Sequence, residues 1–400
     1  MAAEPQDEQF MREALELARK GIALASPNPC VGAVIVSDKG EVVGRGFHTY
    51  DGLKHAEVLA IEEAGGRARG ATLYLNLEPC SHHGRTGPCA DAVIAAGIKS
   101  VFAAMQDPNP QVSGQGFAKL RAAGIEVNVG LLDPEARYLN EAFAKYVRTK
   151  MPFITLKAGM TLDGKIAPPP GESLSPTALG AAAAGMGWIT SREARAHVQE
   201  LRHQMDAIMV GVGTVIADDP LLTDRTGLPR RRRLLRVILD SRLRLPLESR
   251  LVKTVEEDLI VFCSFAEEKR KAELEARGIR VFQVAMAKQA GHPDLEHVMR
   301  KLGEMQITSV LIEGGAIVNW VALETGLVDK VFLYYAPKIL GGIGSVPFAG
   351  GRGFRHMGEA AQVHNTRLHR FGEDFAVEGY LKDPYSSGDS PANVKTTREE

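Results

Sequence analysis

Long apolar runs are missing from this chain. No stretch reaches 18 consecutive apolar residues, so no membrane span is expected. Cysteine is scarce: Cys30, Cys80, Cys89 and Cys263 are the four in 400 residues, too few for a disulfide scaffold. Net charge is nearly absent, at a formal -1, which removes any global electrostatic argument for nucleic acid or an anionic membrane surface. The N-terminal stretch "MAAEPQDEQFMREAL" is acidic and runs straight into a helical pattern, so neither a signal nor a transit peptide is expected. These features together place the chain in the cytoplasm, where a close pair of thiols points to a metal rather than a bridge.

What is present is a globular composition, 44% hydrophobic and 24% charged, over a length that suggests two or three domains. Residues 7–24 repeat apolar side chains at helical spacing (Phe10, Ala14, Leu17, Ala18). "CVGAVIVSDKGEVVGRG" reads as a hairpin, and His55 to Ala64 as a helix closed by Gly65 and Gly66. Strands at "ATLYLNL", "SVFAAM" and "IEVNVG" then alternate with helices near 89–96, 114–123 and 134–147. Such alternation implies a sheet with helices on both faces, and this first domain is expected to end at residue 148. A second α/β domain, 149–383, opens at "PFITLKAGMTLDG". It is expected to hold a helix over 191–205, strands at "AIMVGV", "LRVILD", "LIVFCS", "IRVFQV", "SVLIEGG" and "KVFLYYAP", and two late strands near "QVHNTRLHRF" and "DFAVEGYL". Pro168 to Gly187 reads as a surface insertion, and 384–400 as a disordered tail. The run Arg230 to Arg233 reads as a solvated loop.

The chemistry starts at "KHAEVLA", where His55 precedes Glu57 by two residues at a helix start. About 25 residues on, "LEPCSHHGRTGPCADA" holds two Pro-Cys pairs between a strand and a helix. A zinc deaminase needs a histidine and two thiolates as ligands, plus a carboxylate that moves protons without binding the metal. His55, Cys80 and Cys89 supply the first set and Glu57 the second. Eight residues separate the two cysteines, so the intervening "SHHGRTGP" must fold back as a loop. His82 and His83 are rival ligands, read here as loop residues that either reach the substrate or face solvent.

In the second half, "LIEGGAIVNW" is a strand running into a Gly-Gly pair and a helix, which is either only a turn or a backbone site for phosphate. It is not a dinucleotide fingerprint of the Rossmann type. "VGVGTVIADDP" reads as a strand followed by a glycine-containing acidic loop.

"SPNPCVGAVIV", "GFHTYDGLKHAEVLA", "TLYLNLEPCSHHGRTGPC" and "DPNPQVSGQG" resemble the deaminase half of the bifunctional riboflavin-biosynthesis deaminase/reductases, the eight-residue gap included. "PFITLKAGMTLDGKIA", "WITSREARAHVQELRHQMDAIMVGVGTVIADDPLLTDR", "RVILDSRLRLP", "LIEGG" and "LYYAPKILGG" are similar, in order, to its reductase half. The resemblance spans roughly residues 8–383. It implies an N-terminal cytidine-deaminase-like three-layer α/β/α domain and a C-terminal dihydrofolate-reductase-like α/β domain. It implies one zinc per chain and NADPH as cofactors, with Asn28 and His48 near the pyrimidine. Gly159, Trp188, Thr214, Asp218, Gly314 and Gly315 fall on cofactor contacts. Arg202, Leu222, Arg225 and Glu313 fall on substrate contacts with Lys157 beside them, the arginine pair suiting a 5'-phosphate. The insertion separates "GES" at 171–173 from "WIT" at 188–190, so either Ser173 or Met186 takes the family's serine position.

The expected activity is hydrolytic deamination of 2,5-diamino-6-(5-phosphoribosylamino)pyrimidin-4-one. NADPH-dependent reduction of the ribosyl group of 5-amino-6-(5-phosphoribosylamino)uracil to ribityl follows. The expected partners are these phosphorylated pyrimidines in a homo-oligomer, with no nucleic acid and no membrane. One rival is a deaminase carrying a degenerate, non-catalytic second domain. Another is a nucleic-acid base deaminase, which needs a basic, aromatic-bearing path that 6% aromatic residues argue against.

Overall fold

The structure is a computed structural model describing residues 5–82, 84–85, 87–169, 187–287 and 291–386. It separates into two compact units. The first is Met1–Lys150 with Pro229–Arg232; the second is Met151–Leu228 with Arg233–Glu400. Ser173, Met186, His83 and nearly all of the insertion and tail lie outside the described residues.

The first unit is a five-stranded sheet in the order β2-β1-β3-β4-β5. Its strands are β1 (Gly32–Val36), β2 (Val42–Phe47), β3 (Thr72–Leu77), β4 (Ser100–Met105) and β5 (Glu126–Val129). β1 runs antiparallel to β2 and β3, whereas β3, β4 and β5 are parallel. Glycines let two helices lie directly on opposite faces. A Cβ on Gly32 would sit 2.1 Å from Ala14 O of helix α1 (Pro5–Arg19), and one on Gly46 would sit 2.2 Å from Ala56 O of α2 (Ala56–Ala64). Gly46 pairs with Ala33, the neighbour of Gly32, so the two close approaches fall on opposite sides of the pleat. The three layers follow. α3 (Cys89–Ala95) and α4 (Gln115–Ala122) follow β3 and β4. The single helix expected over 134–147 is two, α5 (Asp133–Leu139) and α6 (Glu141–Thr149). The break is at Asn140, whose buried amide accepts from Cys30 N at 2.8 Å and donates to Cys30 O at 3.1 Å, a pairing across 110 residues.

The second unit is a nine-stranded sheet, β11-β10-β9-β8-β12-β6-β13-β16-β15. Its central strands are β6 (Phe153–Thr161), β8 (Ala207–Gly211), β9 (Leu235–Leu239), β12 (Ser309–Ile312) and β13 (Lys330–Ala336), all parallel where they pair. Short β7 (Lys165–Ala167) pairs outside this sheet with β14 (Val346–Pro347). β10 (Leu259–Cys263) and β11 (Arg280–Gln283) extend one edge. β15 (His364–Phe371) and β16 (Asp374–Tyr380) close the other, antiparallel. Both faces are buried, as parallel sheets require. Ile208 and Val210 enter one apolar cluster, and Ala207 and Met209 the other. Helices α7 (Arg192–Gln204), α8 (Val212–Asp218), α9 (Arg250–Lys253), α10 (Glu268–Glu275), α11 (Leu295–Glu304) and α12 (Ala316–Glu324) cover the sheet. Among the described residues no helix is long and apolar enough to cross a membrane.

Candidate functional site

In the first unit, α2 begins where β2 has returned the chain. His55 is its N-cap residue and Glu57 lies in its first turn. Cys89 opens α3, and Cys80 lies just past β3, so the eight-residue loop folds back as its length demands. The ligand atoms of His55, Cys80 and Cys89 all lie within 4.8 Å of one another. His55 Nδ1 is 3.1 Å from Cys89 Sγ and 3.6 Å from Cys80 Sγ. Tetrahedral zinc with ordinary bond lengths separates nitrogen and sulfur ligands by roughly 3.5 Å, so the trio fits the ion with shifts of a few tenths of an ångström. Its protons tell the same story. Cys80 is pulled down to about 4, first by a hydrogen bond from the Cys89 thiol and then by His55, and that shared bond pushes Cys89 up. A metal would take the place of these shared protons.

Glu57 is 3% exposed, and its Oε2 meets no hydrogen-bond partner. Burial pushes its carboxyl up to about 7. A buried carboxylate oxygen left unsatisfied beside a ligand trio suits an oxygen that passes protons. The wall beside it is neutral. His48 Nδ1 donates to Lys54 O at 3.0 Å, which leaves Nε2 to accept from Asn28 Nδ2 at 2.9 Å, and burial lowers its pKa. Asn28, His48, Glu57, Cys80 and His82 line one pocket. Sequence reasoning missed other residues there: Arg85, Asp107, Asn109 and Phe143. Asp107 and Asn109 sit in a loop held by Glu78, which is 4% exposed and accepts from four backbone N–H groups. The signal was available in the paired "LEPC" and "DPNPQVSGQG", but nothing local connects them.

Three of the four arginines in the run, Arg230 to Arg232, are partly buried, and only Arg233 is exposed. Pro229–Arg232 is part of the first unit. Arg231 N donates to Ala23 O at 3.0 Å, its Nη1 donates to Ser26 O at 2.9 Å, and its guanidinium stacks 3.7 Å from the centre of the Tyr50 ring. Arg85 stacks on the same ring at 4.2 Å and donates to Tyr50 O.

In the second unit a larger pocket brings together Lys157, Gly159, Thr214, Asp218, Glu313, Gly314 and Gly315. It opens where the parallel strands end, the usual place for a ligand in such sheets. "VGVGTVIADDP" is a strand and a short helix rather than a strand and a loop, because Val212 and Val215 turn inward. Gly314 permits a close approach, since a Cβ there would lie 2.7 Å from Val318 Cβ. Glu313 is at the centre. Burial would raise its carboxyl, but Lys157 and Arg202 outweigh burial and hold it at about 2. Arg202 donates to both carboxylate oxygens, at 2.7 and 3.0 Å, and to Thr223 O. Its guanidinium is thereby held against Glu313 and the Thr223 carbonyl. Four expected residues do not line this pocket's wall: Arg202; Trp188, which is 56% exposed under Arg195; Leu222, buried with φ 53°; and Arg225. Arg225 makes no ion pair among the described residues. Its neighbour Asp224 instead accepts from His203 and Thr226.

Comparison with known proteins covers both units. Residues 4–105 match the cytidine and deoxycytidylate deaminase zinc-binding region, and 152–377 match the RibD C-terminal domain. The riboflavin biosynthesis protein RibD of Actinobacillus pleuropneumoniae is 42% identical, covering 94% of this chain and 96% of its own length. That of Aquifex aeolicus is also 42% identical, over 93% and 97%. A solved RibD from Acinetobacter baumannii superposes with a TM-score of 0.79 at 36% identity, covering 94% of this chain and 98% of its own. A Thermotoga maritima structure, described as a diaminohydroxyphosphoribosylaminopyrimidine deaminase/5-amino-6-(5-phosphoribosylamino)uracil reductase, superposes with a TM-score of 0.77 at 38% identity, over 94% and 98%.

Proposed function

This chain belongs to the RibD family of riboflavin-biosynthesis proteins, and from that premise we propose how its own residues divide the two reactions. It is a bifunctional enzyme, a zinc-dependent deaminase and an NADPH-dependent reductase. Residues 1–148 carry the deaminase and 149–383 the reductase. The substrates are the two phosphorylated pyrimidines named for the Thermotoga protein.

The observation that carries the deaminase assignment is the convergence of three ligand atoms beside the unpartnered, buried Oε2 of Glu57. His55, Cys80 and Cys89 hold the zinc, which when bound supplies a Lewis acid that activates water near neutral pH. Glu57, through Oε2, would move the attacking water's first proton to the ring nitrogen and its second to the departing amine, which leaves as ammonia. The amidine carbon gains an oxygen and loses ammonia. Neutral His48 and Asn28 form the polar wall against which the pyrimidine is oriented.

In the second unit, NADPH when bound would supply the hydride for reduction at the ribosyl C1'. Gly159, Thr214, Asp218, Gly314 and Gly315 line its place, with Trp188 at the rim. Glu313, kept ionised by Lys157 and Arg202, accepts hydrogen bonds from the sugar. Leu222 shapes the loop from which Arg225 reaches the 5'-phosphate. The assembled pocket disfavours the reading of this domain as a degenerate binding module. Four free cysteines and a near-zero net charge support a cytoplasmic enzyme of small molecules rather than of nucleic acid. We further propose that the enzyme works as a homo-oligomer.

Incubating the protein with the diaminopyrimidine phosphate tests the whole reading. Without NADPH the deaminated ribosyl compound should accumulate; with NADPH, the ribityl compound should. Unchanged substrate in both arms would remove the proposal.

A further inference from the structure

Each residue from Leu221 to Arg225 is held in place. Leu221 O accepts from Arg236 Nη1 at 3.4 Å. Leu222 is 4% exposed and takes the left-handed conformation, φ 53°, which a leucine adopts only where its surroundings hold it. Thr223 O accepts from Arg202 Nη1 at 3.0 Å, and Arg225 N donates to Gln199 Oε1 at 3.1 Å. Between them, Asp224 Oδ2 accepts from His203 Nδ1 at 2.8 Å.

Three of these ties come from one helix. Gln199, Arg202 and His203 stand at i, i+3 and i+4, so they share a face of α7. From that face Arg202 also reaches both carboxylate oxygens of Glu313. One helix therefore frames both Glu313 and the loop that carries Arg225.

The His203–Asp224 pair has no purpose assigned so far. Both side chains are buried, at 9% and 6% exposure. A carboxylate only accepts, so Nδ1 is the donor. The other oxygen, Oδ1, accepts from Thr226 N at 3.0 Å and from Thr226 Oγ1 at 2.8 Å. Asp224 and Thr226 are thus joined across Arg225, and the pair is drawn down onto α7. The consequence falls on Arg225. It is exposed and makes no ion pair among the described residues, although a carboxylate is its neighbour in the chain. Both oxygens of that carboxylate are engaged elsewhere. Released from His203, Asp224 would be able to turn outward and pair with the guanidinium. Carboxylate and phosphate suit the same guanidinium fork, so the two anions would then compete for it.

We infer that His203 is a positioning residue of the reductase: by holding Asp224 against α7, it keeps the Arg225 guanidinium unpaired and available to the substrate's 5'-phosphate. This rests on the reading of Arg225 as the phosphate contact. His203 acts through Asp224 and takes no part in the chemistry.

The test is steady-state reduction by the full-length protein with NADPH, using the phosphorylated ribosylaminouracil and its dephosphorylated counterpart. His203→Ala should raise KM for the phosphorylated substrate about threefold to tenfold with kcat nearly unchanged. It should leave the dephosphorylated substrate as in the wild type. His203→Phe keeps a ring in the space but has no donor, and should behave like His203→Ala. His203→Asn brings an amide N–H near the place of Nδ1 and should restore most of the affinity. Asp224→Ala removes the competing carboxylate together with its anchor, and should raise KM less than His203→Ala does. In an Arg225→Ala background, His203→Ala should add nothing, because the group it protects is gone. An equal loss on both substrates, a full additional loss in the Arg225→Ala background, or the same defect in Asp224→Ala as in His203→Ala would overturn the inference. If Arg225→Ala distinguishes the two substrates and His203→Ala does not, only the inference falls. If Arg225→Ala itself fails to distinguish them, the reading of Arg225 falls and takes the inference with it.

Discussion

Glu78→Gln should unhinge the deaminase pocket without touching its metal. The carboxylate sits just past β3. Oε2 accepts from Asp107 N at 3.1 Å and Gly114 N at 2.9 Å, and Oε1 accepts from Gly116 N at 2.8 Å and Phe117 N at 3.2 Å. An amide is the same size, but one of its two ends becomes a donor. Whichever way it turns, two backbone N–H groups then face an NH2 group and lose their acceptor. Hydrogen bonds to a charged group contribute about 1.5–3 kcal/mol each, so two lost bonds amount to roughly 3–6 kcal/mol. Relaxation of the loop brings the effect toward the lower figure. The loop carries Asp107 and Asn109 on the pocket wall, so KM for deamination should rise. Zinc content should stay at one per chain, because none of the ligands is on that loop. The two units can be followed separately in urea. Both tryptophans, Trp188 and Trp320, lie in the second unit, so their fluorescence reports on it alone. Zinc release, read with a chelating dye, reports on the first. The zinc-release midpoint should fall sharply and the tryptophan midpoint should hold. A variant whose zinc-release stability stays within about 1 kcal/mol of the wild type, an ordinary surface substitution, would refute the claim that this carboxylate holds the loop.

Three further predictions concern other residues. Cys80→Ser should lose zinc while Cys263→Ser keeps it, and Glu57→Gln should keep zinc yet lose deamination, since an amide cannot carry a proton; metal analysis showing equal zinc in the two cysteine variants would sink the ligand set. Arg225→Ala should lower reductase kcat/KM by roughly ten- to hundredfold for the phosphorylated substrate only, and an equal loss with a dephosphorylated substrate would show that it does not read the phosphate. Glu313 has a folded pKa of about 2 against an unfolded value of 4.5. Its stabilisation, about 3 kcal/mol, is therefore present above pH 4.5 and is lost as pH falls from there toward 2. Tryptophan-detected stability should decline over that range, and a decline of the same steepness in Glu313→Gln would rule Glu313 out as its source.

The readable parts of this chain were the local ones. His55, Glu57, Cys80 and Cys89 could be found because two short motifs each carry ligand chemistry within a few residues, and the strands because their apolar runs are bounded by turn residues. Helix α8 escaped because only Val212 and Val215 turn inward and Gly213 lies between them, too little for a period to show. The break at Asn140 is set by Cys30, 110 positions away, and no pattern around residue 140 contains that partner. Glu78 and His203 stayed invisible for the same reason. A buried acceptor and a buried donor are defined by what surrounds them in space, and both look like ordinary polar residues in a row of letters.

Pro229–Arg232 makes the order of synthesis matter. The first unit has all five of its strands by Lys150, yet it takes in four residues, the last of them 82 positions later. At about 5–20 residues per second, a translating ribosome delivers them roughly 4–16 seconds after the rest. During that interval Tyr50 can meet Arg85 but not Arg231, and the carbonyls of Ala23 and Ser26 wait for their donors. A gene cut at the apparent boundary makes that interval permanent. The amino-terminal product would keep its ligands and its sheet, but one side of the tyrosine at its rim would never be clasped.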